Sequence, residues 1–294
     1  MHRYLRAIGF AGIETKSQEV SLLQSMELSP PYGEGDRERH ERTYAGLRCE
    51  TGSKMGVILQ GYRRPEDGEF VREFYFPFVE GKTSTPMGSG YIRRLHDKEA
   101  YAVLSEDSRL GAALIFYMTN GLLYRERVEA SLPCKLKSFV LSGLSIQGTV
   151  LLPIQKTKRQ IARINANNKN RDRMLEAAKE GDEAAMESLT MEDITLYGQI
   201  SRRMLKEDVY SIVDSCFMPT GVECDSYMVI GEILECEQIT NFWTREKVYR
   251  MQIASNGLEL TVCINNKDIT GEPAPGRRFK GDIWLQGIGE FGEK

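Results

Sequence analysis

The chain has 294 residues, with 39 Lys and Arg against 42 Asp and Glu and 41% apolar residues; this is an ordinary globular composition, long enough to bury a substantial core and to form about two domains. A formal net charge of -3 directs the molecule neither to nucleic acid nor to a membrane. The longest apolar run, Leu110 to Tyr124, is interrupted by Thr119, Asn120 and Gly121 and is too short to span a bilayer.

Met1 to Phe10 lacks an apolar stretch followed by a small-residue cleavage site, and none of the six cysteines stands in a C-x-x-C pair. The expectation is a cytoplasmic protein with reduced thiols. Ser17 can cap a helix over Gln18 to Leu28, ended by Ser29-Pro-Pro. Glu34 to Arg42 mixes both charges without an apolar period and reads as an exposed loop or helix face.

From Tyr44 the period changes to two. Val57 to Tyr62 and Phe70 to Val79 flank Pro65-Glu-Asp-Gly68, in which Pro presets φ and Gly accepts a positive φ. Phe70, Phe74, Phe76 and Phe78 share a strand face, and sheet core outweighs an aromatic ligand platform as their role. Lys82 to Arg94 reads as a loop. Tyr101 to Glu106, Ala112 to Thr119 and Leu122 to Val128 read as strands, the last two joined by an Asn120-Gly121 hairpin. Phe139 to Ile154 supplies one or two more, broken near Gly143 and Gly148. Residues 1–153 are thus expected to form an α+β domain built on an antiparallel sheet.

Residues 154–207 form a helical connecting segment. Its first part carries Lys156, Lys158, Arg159, Arg163, Lys169, Arg171 and Arg173 against one acid, Asp172. Gly181 breaks it, Asp182 caps a helix over Glu183 to Leu189, and Thr190 with Asp193 makes a capping box for the next. Ile194, Tyr197, Ile200 and Met204 then recur at helical spacing as one packed face.

Residues 208–294 contain strands over Tyr227 to Ile239, Val248 to Ser255, Leu258 to Ile264 and Arg278 to Ile288, with Asn256-Gly257 as a second hairpin signal. Tyr210 to Phe217 fits a strand or a helix end. Several short alternating strands suit a small closed β-barrel, with the OB type as one form of it.

Motifs with chemistry are few. Gly81-Lys82-Thr83 lacks the earlier glycine of a P-loop, and Gly143-Leu-Ser145-Ile-Gln147 lacks the second glycine of a nucleophile elbow. His2, His40 and His96 are dispersed. Cys216, Cys224, Cys236 and Cys263 lack metal-knuckle spacing. The acids around Glu223 and Asp225 could serve a hard cation or acid/base chemistry, although solvated surface is the simpler account. No cofactor, metal or catalytic residue is assigned.

Three readings follow. The first is a non-enzymatic interaction or adaptor protein with a protein partner. The second is nucleic-acid binding through the basic helix 156–173 and the barrel, with Lys158, Arg159, Arg163, Arg171 and Arg173 on phosphates and the aromatics Phe242, Trp243 and Trp284 stacking bases. The third is an enzyme with a carboxylate or metal site near Glu223 and Asp225.

Gly181-Asp-Glu-Ala-Ala-Met-Glu-Ser-Leu-Thr-Met-Glu-Asp193, the segment Phe217-Met-Pro-Thr-Gly-Val-Glu-Cys-Asp225, the segment Gly271 to Gly287 and the opening Met1 to Phe10 together resemble a family of uncharacterised proteins of about this length from Clostridia, described only as a domain of unknown function. The resemblance implies a bacterial cytoplasmic protein and transfers no site residues.

Overall fold

A computed structural model describes residues 2–28, 32–39, 42–95, 99–107, 112–154, 170, 173–175, 177–178, 180–204, 209–222 and 224–292. The fold is α+β, mostly sheet with few helices. A buried 3-10 helix, Arg3–Ile8, comes first, followed by α1 (Lys16–Leu28). The cap of α1 lies two residues before the expected one. Thr15 Oγ1 accepts from the Gln18 amide at 3.3 Å, and Gln18 Oε1 accepts from the Thr15 amide at 3.0 Å, which is the reciprocal pairing of a capping box.

A four-stranded antiparallel meander comprises β1 (Tyr32–Arg39), β2 (Arg42–Gly52), β3 (Met55–Arg63) and β4 (Phe70–Val79). The Glu34 to Arg42 stretch is therefore mainly strand, because β2 offers a hydrogen-bonding edge that outweighs the missing apolar period. The turn expected at Pro65 to Gly68 joins β3 to β4, and Gly68 has φ of 70°.

The second sheet has eleven strands. They are β5 (Ser84–Pro86), β6 (Ser89–Arg94), β7 (Tyr101–Asp107), β8 (Ala112–Met118), β9 (Leu136–Leu151), β10 (Cys216–Pro219), β11 (Ser226–Thr240), β12 (Lys247–Ser255), β13 (Leu258–Asn265), β14 (Ile269–Thr270) and β15 (Arg278–Phe291). Lys82 to Arg94 thus holds two strands where a loop was expected. Helix α2 (Gly121–Glu129) occupies the place of an expected strand. Asn120 does not turn a hairpin, because its side-chain amide donates to Gly289 O at 2.9 Å and accepts from the Gly289 amide at 3.0 Å.

β9 runs unbroken through Gly143 and Gly148. A Cβ at Gly148 would stand 2.5 Å from the Phe279 ring, so this glycine makes room for a large side chain from β15 and does not end the strand. β11 pairs with β12, β12 with β13, β13 in parallel with β9, β9 with β15, and β15 again with β11. This circuit of ladders encloses Val229, Ile233, Met251, Leu260, Val262, Phe279 and Ile283, all buried. β9, from the first expected domain, is thereby hydrogen-bonded between two strands of the last. β8, β7 and β6 extend from β15 as a wing.

A second core lies between the meander and the outer face of the circuit. Leu5, Ile8, Phe10, Met26, Val57, Phe76 and Phe78 meet Tyr117, Cys263 and Trp284 there. Helix α3 (Glu183–Met204) is continuous. Asp182 caps it as expected, accepting from the Ala184 and Ala185 amides. Thr190 bonds back to Met186 O and starts no new helix. Ile194 is 62% exposed, so the expected packed face does not include it; the side chains of Tyr197, Ile200 and Met204 lie outside the description. The short α4 (Val209–Ile212) precedes β10. Arg278 fastens both ends of the intervening segment, donating to Leu152 O, Val213 O and Tyr210 O at 3.0, 2.7 and 2.7 Å. Among the described residues no helix is long and apolar enough to cross a membrane.

Candidate functional site

Of the residues expected to meet nucleic acid, Lys158, Arg159, Arg163 and Arg171 lie outside the described residues, and Arg173 is exposed in a helical stretch. Trp243 is 40% exposed in the connection from β11 to β12, beside Phe242 at 59%. Asn241 fixes that connection. Its amide donates to Ile8 O at 2.8 Å, and its carbonyl accepts from the Trp243 and Thr244 amides. Trp284 is a correction: at 7% exposure it is no open platform. Its ring stacks on Tyr4 at 5.4 Å and meets Tyr117 at 5.1 Å, because that face of β15 is turned toward the meander.

Asp225 accepts from Trp284 Nε1 at 2.7 Å. Burial pushes its pKa up, outweighing that hydrogen bond, so its geometry is that of an indole partner. Glu223, His40 and His96 lie outside the described residues. His2 is also packed into this junction, 4.9 Å from the Trp284 ring centroid, and burial lowers its pKa to about 4. Among the described residues no cluster of three or more His, Cys, Asp or Glu could hold a metal. Burial raises the Cys49 and Cys236 thiols to about 11 and Cys263 to about 12, which keeps them protonated at neutral pH.

The concave feature that sequence reading missed lies on the wing. Among the described residues β6 pairs with β7 and stands last in the order of the sheet, the position of an edge strand. Met87 and Gly88 connect it to β5, which pairs with β9. Between this edge and the start of β9 opens a cavity of about 540 Å³, lined by Gly88, Tyr91, Ile92, Tyr124, Lys135 and Leu136 among others. Tyr91 is 60% exposed. Tyr124 is held against Tyr101 at 5.0 Å and Phe291 at 6.1 Å, so one wall is rigid and aromatic. Lys135 is the one charged side chain among the described lining residues. No composition or motif signal marks this place, since it is made by the gap between two segments some forty positions apart.

A smaller cavity of about 390 Å³ lies where the meander meets the outer face of β11 and β12, with Lys54, Lys82, Glu235, Arg250 and Gln252 in its wall. It contains the Gly81-Lys82 dipeptide of the discarded P-loop motif.

A family model described as "Domain of unknown function, E. rectale Gene description (DUF3881)" matches residues 5–287. No curated protein and no solved structure matches the chain.

Proposed function

We propose, from the premise that this chain belongs to the DUF3881 family, a domain of unknown function, that it is a non-enzymatic interaction protein of the bacterial cytoplasm whose protein partner lays an extended segment along β6. The observation that carries this reading is the edge position of β6 among the described strands, with Ser89 to Ile92 lining the 540 Å³ groove. An edge strand supplies main-chain hydrogen bonds to any extended peptide, and pockets beside it select alternate side chains. Tyr91, Ile92, Tyr124 and Leu136 suit apolar side chains. Lys135, with no acid in the lining, suits a carboxylate on the partner segment.

In the same reading the circuit of ladders is a small barrel of the OB type with its chain order permuted. Residues 208–294 supply β11, β12, β13 and β15, while β9 comes from ahead of them in the chain. The outer face of β12 and β13, where such barrels hold oligonucleotides, is packed by the chain's own 3-10 helix: Cys263 Sγ lies 3.4 Å from Ala7 O, and Asn265 donates to Arg6 O at 3.2 Å. This favours the wing over the barrel as the docking surface.

The test is selection of linear peptides from a random phage-displayed library on the purified protein, followed by amide exchange. Selected peptides carrying an acidic residue should slow exchange of β6 amides, and Lys135→Glu should weaken them about tenfold. Selected peptides that protect no β6 amide, or whose binding ignores Lys135→Glu, would overturn the reading.

Nucleic-acid binding is the second reading, favoured by the exposed Phe242 and Trp243 pair. It expects single-stranded DNA binding that falls steeply with salt and is lost in Trp243→Ala. Absence of binding at low salt removes it.

A further inference from the structure

The cavity at the meander junction is a second and independent site, and we propose that it binds a small phosphorylated metabolite bearing hydroxyl groups. Its wall is assembled from two sheets by short polar links. Arg250 NH1 donates to Ser53 O at 2.7 Å and its Nε to Glu237 at 2.6 Å. The Glu80 amide donates to Lys54 O at 2.8 Å. These contacts bring Lys54, Lys82 and Arg250 to one opening. The floor is preset, with Thr261 Oγ1 donating to Gln252 Oε1 at 2.8 Å and Gln252 Nε2 donating to Thr83 Oγ1 at 3.0 Å.

Three cations and three carboxylates line the wall, and the ion pairs leave one of the cations uncommitted. Glu237 is held by Arg250, Glu235 by Lys82, and Glu80 by Arg48 from outside the cavity, a guanidinium that also lies 3.7 Å from Glu50. Lys54 makes no ion pair with any described residue, so its ammonium is the cation of the wall that can meet an anion without breaking an existing pair. Arg250 retains guanidinium N-H groups beyond those on Glu237 and Ser53, because the group carries five. The pair of Lys82 with Glu235 is 60% and 64% exposed, and such surface pairs exchange at little cost. A phosphate oxygen can therefore be met by each of the three cations, while Glu235 and Glu237 accept hydroxyl protons from the rest of the ligand. Cys236 also lines the cavity, but its protonated thiol leaves the site a binding site and not a nucleophilic one.

The backbone gives a second indication. Lys54 has φ of 57° in the turn between β2 and β3. That conformation favours Gly or Asn, so the lysine stands there against local preference, with its side chain lining the cavity.

The experiment is calorimetric titration of the whole chain with ribose 5-phosphate, with inorganic phosphate and ribose as separate arms. Ribose 5-phosphate should saturate below about 1 mM, inorganic phosphate should bind more weakly, and ribose should not bind. Lys54→Gly should fold with an unchanged or higher melting temperature yet bind at least about tenfold more weakly. Tyr91→Asp, in the wing groove, should leave this titration unchanged, which separates the site from the peptide-docking reading. No saturation below about 1 mM, or full binding by Lys54→Gly, overturns the proposal. Equal binding of inorganic phosphate overturns its hydroxyl component.

Discussion

The circuit and the wing are parts of one sheet with opposite treatments of their edges. Around the circuit each strand finds a neighbour on both sides, and β11 meets β12 along one half and β15 along the other. On the wing β6 is the last strand among the described residues. Closure brings stability by burying Phe279, Ile283 and Met251 completely, and an open edge leaves hydrogen-bonding capacity for something outside the chain. The same strand chemistry therefore gives a core in one place and, on the function proposed above, a docking surface in the other.

The largest expected effect belongs to the circuit. Phe279→Ala empties the space that Gly148 leaves for the ring and should cost about 3–5 kcal/mol in denaturant unfolding. A loss below about 1 kcal/mol would mean that the circuit does not close around that side chain.

Next is a pH effect at the junction between circuit and meander. His2 is buried, its Nδ1 has no hydrogen-bond partner, and its folded pKa lies near 4 against an ordinary 6.5. Between these values the unfolded chain binds a proton that the folded chain refuses. Stability is full above about pH 6.5 and falls as pH drops toward 4, by up to about 3 kcal/mol. Burial also pulls the Glu19 carboxyl up, but hydrogen bonds from Tyr75 and the His2 amide outweigh it and hold its pKa low, so its own contribution is lost further into acid. Denaturation of His2→Gln from pH 7 to 4 should show a flatter profile. An unchanged slope would assign the effect to other groups.

Arg278 ties the connecting segment to the circuit and is 6% exposed. Arg278→Leu leaves the Leu152, Tyr210 and Val213 carbonyls without their donor and should cost about 1–3 kcal/mol, with faster amide exchange in α4. If α4 exchanges as before, the arginine is not what holds it.

The smallest effect on stability is expected on the wing. Tyr91→Asp changes a mostly exposed edge residue and should shift unfolding by less than about 0.5 kcal/mol, while selected peptides lose their binding. A large loss of stability would show that β6 belongs to the core.

How far the sequence could be read is clearest from two identical dipeptides. Asn256-Gly257 turns β12 into β13 with φ of 48° and 76°, as its flanking alternation indicates. Asn120-Gly121, equally flanked by apolar runs, starts a helix, because Asn120 is held by the backbone of Gly289, 169 positions away. The candidate sites divide the same way. Trp243 is exposed as expected, but Trp284 is buried by a meander whose position its own strand does not encode. The groove and the junction cavity lie between segments distant in the chain, and neither has a local pattern.

By itself the sequence determined the α+β class, the alternating strands of the last eighty residues, the turn at Gly68 and the cap at Asp182, because each of these rests on propensity and periodicity within a few residues. Tertiary structure alone decided that β9 joins β13 and β15, that β6 is left at an edge, and that Lys54, Lys82 and Arg250 face one opening. Those outcomes depend on which hydrogen-bonding edges meet across long stretches of chain, and local preference is indifferent to that choice.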